Sequence, residues 1–102
     1  MTDLGIVIVN YNTRDLLRDC LASIYASWGD WSYKVYVVDN ASVDGSAEMV
    51  RQEFPQAGLI VNDQNKGYAY ANNLGLKALG WGNDEEAEPQ QARTPTYALL
   101  LN

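Results

Sequence analysis

The 102-residue sequence has no histidine and a single cysteine, Cys20. The first absence excludes His-based acid/base catalysis and histidine metal sites. The second excludes an internal disulfide and a cysteine-clustered zinc site, and a lone thiol points weakly to a reducing compartment. Cations are also scarce, with 7 Lys and Arg against 13 Asp and Glu and a net charge of −6. A nucleic-acid-binding face needs clustered Lys and Arg, so no nucleic acid partner is expected. A phosphorylated ligand would need a metal ion or backbone N–H groups instead. No apolar run reaches the roughly 20 residues of a membrane span. Met1-Thr2-Asp3 leads straight into an apolar run, so neither a signal peptide nor a span is expected. Glycine is missing where a dinucleotide fingerprint would need it: the turn after the first apolar run is Asn10-Tyr11-Asn12-Thr13-Arg14. That argues against NAD or FAD, and there is no P-loop.

What is present is an alternation of strand-like and helix-like segments. The apolar fraction of 47% and charged fraction of 20% are ordinary for one globular domain. Leu4 to Val9 is a nearly continuous β-branched run, the pattern of a parallel strand covered on both faces. Tyr33 to Val38, Gly58 to Val61 and Thr96 to Asn102 read as three more strands. Between them lie three helical segments. In the first, Leu16, Leu17, Cys20, Leu21, Ile24 and Tyr25 share one face at helical spacing, with Asn12 or Thr13 as cap. The second has Ala47, Val50 and Phe54 on one face, Ser42 or Asp44 as cap, and Pro55 closing it. The third runs from Gly67 to Leu79. Residues 80–95 are acidic, aperiodic and punctuated by Gly and Pro, which reads as a flexible surface loop. The expectation is an α/β fold, one domain over residues 1–102, with a mostly parallel sheet and right-handed crossovers. All four strands turn polar at their carboxyl ends, where open α/β sheets bind ligands.

Four motifs stand in order: Val7-Ile-Val-Asn-Tyr-Asn12, Val37-Val-Asp-Asn-Ala-Ser-Val-Asp-Gly-Ser46, Asn65-Lys-Gly-Tyr-Ala-Tyr-Ala-Asn-Asn-Leu-Gly75 and Leu99-Leu-Leu-Asn102. Together they resemble the amino-terminal part of a family 2 glycosyltransferase, rhamnosyltransferase-like and of the GT-A fold. The resemblance covers nearly the whole chain. It implies a partial, Rossmann-like three-layer domain of about four strands in spatial order 3-2-1-4, with helices on both faces. It implies that Val9, Asn10, Tyr11 and Asn12 lie along the base and ribose of a nucleotide. Asp39 would accept a hydrogen bond from the base imide; a carboxylate is acceptor-only, which favours uracil or thymine. Asn65 and Gly67 would stand near the nucleotide, Gly67 letting the backbone come close. Asn102 matches the first position of a DxD-like metal motif, so the carboxylate holding magnesium or manganese is expected beyond the chain.

By the same resemblance, the complete enzyme would move a sugar from a UDP- or dTDP-linked donor to an acceptor hydroxyl with inversion. The acceptor would be a glycan or a lipid-linked glycan, in cell-envelope polysaccharide synthesis, in the cytoplasm or at the inner face of the membrane. The chain alone is then expected to be inactive, and to self-associate through its exposed final strand. Two alternatives stay open: a non-catalytic nucleotide-binding module, and a flavodoxin- or receiver-like domain. Several residues have plain structural readings. Asp44 is explained by helix capping, Asn72 and Asn73 by bonds to loops, Gly75 by packing and Cys20 by the core. Arg14 and Lys66 are either diphosphate contacts or solvated cations. Trp28, Trp31 and Trp81 read as anchors for turns.

Overall fold

The computed structural model describes residues 4–27, 32–80 and 97–101. The loop expected over 80–95 lies outside these apart from Gly80, as do Trp28, Trp31, Trp81 and Asn102. In chain order the elements are β1 (Leu4–Asn10), α1 (Arg14–Ser27), β2 (Tyr33–Asn40), α2 (Ser46–Glu53), β3 (Gly58–Asn62), α3 (Tyr68–Leu79) and β4 (Tyr97–Leu101). The four strands form one parallel sheet in the order β3-β2-β1-β4. The expected α/β class and strand order are therefore present.

The period-2 alternation of the strands divides the core. Ile6, Ile8, Val35 and Val37 face one way, against Leu17, Leu21 and Ile24 of α1 and Met49 and Val50 of α2. Val7, Val9 and Val38 face the other way, against Ala71 and Leu79 of α3. β1 is buried along its whole length, as a strand covered on both faces must be. On the α1 side Tyr25 stacks on Phe54, ring centroids 6.0 Å apart, and meets Tyr33 at 5.7 Å. Burial, and then the nearby Tyr33, push the Tyr25 phenol up to about 12. On the α3 side the helix lies very close to the sheet: a Cβ on Gly75 would come 2.4 Å from Cγ1 of Val7. Gly75 is thus a packing position, as its sequence context predicts.

Some expectations need correction. Leu16 is not in the core of α1; it is 70% exposed, because α1 starts at the rim of the sheet and its first turn overhangs the sheet's end. Neither Asn12 nor Thr13 caps α1 through its side chain. The Thr13 hydroxyl donates instead to Oδ1 of Asn10, and Oδ1 of Asn12 accepts from the Val43 N–H. α2 buries Met49 and Val50 on its inner face, with Ala47 only partly covered. It gives way at Phe54, whose N–H still reaches the Val50 carbonyl, and Pro55 follows.

Candidate functional site

Polar residues meet in register at the carboxyl edge of the sheet. β1 and β2 pair so that Asn10 lies beside Asp39, and β2 and β3 so that Asn40 lies beside Asn62. Asp39 is 1% exposed. Its Oδ1 accepts from Nδ2 of Asn10 at 2.8 Å and from the Ser42 hydroxyl at 2.7 Å, and its Oδ2 accepts from the Ser42 N–H at 3.0 Å. Asn10 is buried with both ends of its amide bonded, to Asp39 and to Thr13. On the α3 side of the sheet, Nδ2 of Asn62 donates to Oδ1 of Asn40 at 2.8 Å. Nδ2 of Asn40 donates in turn to the Gly67 carbonyl at 3.3 Å. Strand ends that sequence pattern marks only as polar thus form a plate of two bonded groups, one on each side of the sheet, as buried polar groups require.

The loops above this plate are locked to each other. The N–H of Asn12 donates to the Ser42 hydroxyl and Oδ1 of Asn12 accepts from the Val43 N–H, both at 2.8 Å. The Asp44 carboxylate serves two helices at once. Oδ2 accepts from the N–H of Arg14, the first residue of α1, and Oδ1 from the N–H of Ser46, the first residue of α2. Desolvation pushes the Asp44 carboxyl up, but bonds from the Ser46 side chain and from the Arg14 and Ser46 amides outweigh it, so it lies below its ordinary range. The locked loops hold Asn12 (φ 53°) and Ala41 (φ 65°) in left-handed backbone conformations, which cost non-glycine residues roughly 1–2 kcal/mol each.

A cleft of about 460 Å³ opens over this edge. Val9, Asn10, Tyr11, Asn65 and Gly67, five of the residues expected to meet a nucleotide, line it together. Asn40, Thr13 and Tyr68 join them, and Leu16, Leu17, Cys20 and Leu101 form an apolar wall. Asn12 lies apart, beside Arg14 and Asp44 in a shallower hollow. Asp39 lies under the cleft floor rather than in its lining. Gly67 has φ +95°, and a Cβ added there would meet nothing within 4 Å. Its backbone therefore borders open space at the start of α3, held from below by Oδ1 of Asn65 at 2.9 Å. Arg14 is committed to Asp15 and to the Asp44 carbonyl, and Lys66 lies 5.3 Å over the Tyr70 ring. Cys20 lies at the cleft wall rather than deep in the core, and burial pushes its thiol up, which leaves it unreactive at neutral pH. Oδ1 of Asn72 is buried with no hydrogen-bond partner among the described residues. Also among the described residues, no three His, Cys, Asp or Glu side chains gather to hold a metal ion.

Comparison with known proteins decides the family. Residues 5–79 match Glycosyl transferase family 2. The chain belongs to this family. Its relatives are glycosyltransferases, which sets aside the flavodoxin-like and receiver-like alternatives. Over 90 residues (87% of the chain) it is 32% identical to an N-acetylglucosaminyl-diphospho-decaprenol L-rhamnosyltransferase of Mycobacterium tuberculosis, covering 29% of that protein. Over 78 residues (72% of the chain) it is 28% identical to glycosyltransferase AglE of Haloferax volcanii, covering 26% of that protein. The fold superposes with TM-score 0.62 and 29% identity on a mannosyltransferase from Pyrobaculum calidifontis in complex with GDP-Man and Mn2+. That match covers 74% of the chain and 24% of the mannosyltransferase. The family 2 chain thus spans 24–29% of the length of these relatives.

Ser42, Asn40 and Asn62 are the site residues that sequence pattern alone does not single out. Ser42 and Asn40 stand within the second motif, on either side of Ala41. Their bonding partners follow from strand register, which motif spacing does not encode.

Proposed function

We propose that this chain forms the nucleotide-binding side of a glycosyltransferase site. The protein to which it belongs then transfers a sugar from a nucleoside diphosphate donor to an acceptor hydroxyl. The observation that carries this reading is the place of the cleft in a family 2 chain. It lies over the carboxyl ends of parallel strands, bordered by Tyr11, Asn40 and Gly67. In this reading the base and ribose lie along Val9, Asn10, Tyr11 and Asn12, with Asn65 and Gly67 beside the nucleotide. The N-terminus of α3 offers unpaired backbone N–H groups to the diphosphate, which a chain of net charge −6 needs. Asp39 accepts from three donors, and a carboxylate has about four acceptor sites. Because Asp39 is 1% exposed under the cleft floor, this reading requires the floor above it to yield for a base imide to reach the fourth.

We read the donor as UDP- or dTDP-linked. The guanine of the mannosyltransferase's GDP-Man also presents a ring N–H, so GDP belongs in the test. A divalent metal, magnesium or manganese, is expected in the complete enzyme, where it would offset the charge of the diphosphate. The described residues do not form its site, and Asn102, the first position of the expected motif, lies outside them. Inversion, a carboxylate base for the acceptor, a glycan or lipid-linked acceptor and a cytoplasmic setting complete the proposal. No helix among the described residues is long and apolar enough to cross a membrane. Calorimetric titration of the chain with UDP, dTDP, GDP and ADP tests the reading. Binding of UDP or dTDP over ADP is expected; equal binding of all four, or of none, contradicts it.

A further inference from the structure

We propose that Ser42 is a positioning residue that sets base selectivity by fixing the orientation of the Asp39 carboxylate. This inference rests on the nucleotide-binding reading above. Ser42 makes four hydrogen bonds. Its hydroxyl donates to Oδ1 of Asp39 at 2.7 Å and accepts from Nδ2 of Asn10 at 3.3 Å and from the Asn12 N–H at 2.8 Å. Its own N–H donates to Oδ2 of Asp39 at 3.0 Å. A hydroxyl has one donor and two acceptor sites, so all three are used. The single proton goes to Asp39 because both other partners are N–H donors, which leaves the hydroxyl no other direction in which to donate.

The consequence for Asp39 is asymmetric. Oδ1 carries two bonds, from Asn10 and Ser42, and Oδ2 carries one. The remaining acceptor site therefore belongs to Oδ2, and the carboxylate cannot turn without breaking bonds to residue 42 at both oxygens. An oriented lone pair accepts a ring N–H in one place. A carboxylate free to rotate would accept equally well from an exocyclic amine elsewhere on the base, and selectivity would fall. Neither Ser42 nor Asp39 is in the cleft lining. Asp39 lies under its floor, and Ser42 would act through the Asp39 carboxylate where a base reaches it, and through the Asn12 backbone, rather than by touching the nucleotide.

The test compares Ser42→Ala, Ser42→Thr and the near-isosteric Ser42→Cys in the 102-residue chain, with two readouts. The first is the ratio of UDP to ADP affinity. Losing a hydrogen bond to a charged group is expected to lower that ratio about tenfold in Ser42→Ala. Ser42→Thr, which keeps the hydroxyl, restores it, and Ser42→Cys falls between. A ratio unchanged in Ser42→Ala overturns the proposal, as does a loss that Ser42→Thr fails to restore. The second readout needs no ligand: solvent-exchange protection of the backbone amides of Asn12 and residue 42. Both are expected to lose protection in Ser42→Ala and to keep it in Ser42→Thr. If the wild-type chain binds no nucleotide, the nucleotide-binding reading fails and selectivity with it. Unchanged protection at residue 42 overturns the positioning of Asp39 whether or not nucleotide binds.

Discussion

Asp39 is held at 1% exposure by three donors, two from Ser42 in the loop after β2 and one from Asn10 on the neighbouring strand β1. A buried carboxylate is tolerable only with its oxygens bonded, and a donor left without its acceptor costs as much as the bond itself. Asp39→Asn keeps the shape but turns one acceptor into a donor facing other donors. It is expected to destabilise the chain by about 2 kcal/mol, read as a lower urea midpoint with an unchanged slope. An unchanged midpoint would mean that the plate at the strand ends is not a structural unit. At this scale the sequence was partly legible. A strand ending in Asn or Asp announces a polar tip, and family motifs imply roles for Asn10 and Asp39. The sequence does not say that Asn10 and Asp39 are bonded to each other, because that depends on the β1–β2 register. Nor does it show that Leu16, apolar and at helical spacing with Leu17 and Cys20, overhangs the cleft instead of entering the core.

The elements meet through a few close approaches, and two of them make sharp predictions. Asp44 accepts the first N–H of α1 across the chain and the first N–H of α2 from just outside its N-cap, Gly45, so its loss removes two such bonds at about 1 kcal/mol each. Asp44→Ala is therefore expected to cost about 2 kcal/mol at neutral pH. The folded carboxyl lies below its ordinary value of 3.8, so the charged form is favoured by folding. That contribution is present above the ordinary value and is lost as pH falls through the lower, folded one. The stability gap between wild type and Asp44→Ala should narrow as the pH is taken below 3.8, in urea unfolding followed by circular dichroism. A gap that stays constant, or widens in acid, contradicts this assignment.

Gly75 gives the second element-scale prediction, since its Cβ would fall 2.4 Å from Val7. Gly75→Ala gains helix propensity, but overpacking is expected to win, for a net loss of about 1–3 kcal/mol. Combining it with Val7→Ala should recover part of that loss. Strictly additive losses in the double mutant would show that the two residues do not touch. The close approach of α3 to β1 was legible as a glycine on a helix. Its partner was not, because helical spacing fixes a face and leaves open which strand lies under it.

Alternating runs of strand and helix made the whole-molecule architecture the most legible level, since few topologies accommodate them with right-handed crossovers. The third strand, expected from Gly58 to Val61, is present from Gly58 to Asn62, although Val61 lies outside the core. Among the described strands β4 pairs only with β1, and Leu99 and Leu100 are exposed on it. An open apolar edge recruits further strands. The chain in isolation is expected to self-associate with increasing concentration in sedimentation experiments, and Leu100→Lys to shift it toward monomer. A stable monomer at high concentration contradicts that expectation. Sugar transfer is not expected from the 102 residues alone, because they span only 24–29% of the length of the glycosyltransferases they match. Turnover of a sugar nucleotide by the purified chain would refute this.

The central claim is that the cleft at the carboxyl edge of β1 and β2 holds the nucleotide. Its most direct test is an amide-resolved NMR titration of labelled chain with UDP, dTDP, GDP and ADP. The account predicts shifts clustered at Asn10 to Asn12, Asn40 and Asn65 to Tyr68, larger for UDP or dTDP than for ADP. Shifts confined to the opposite end of the sheet, or none from a well-dispersed spectrum, would contradict it.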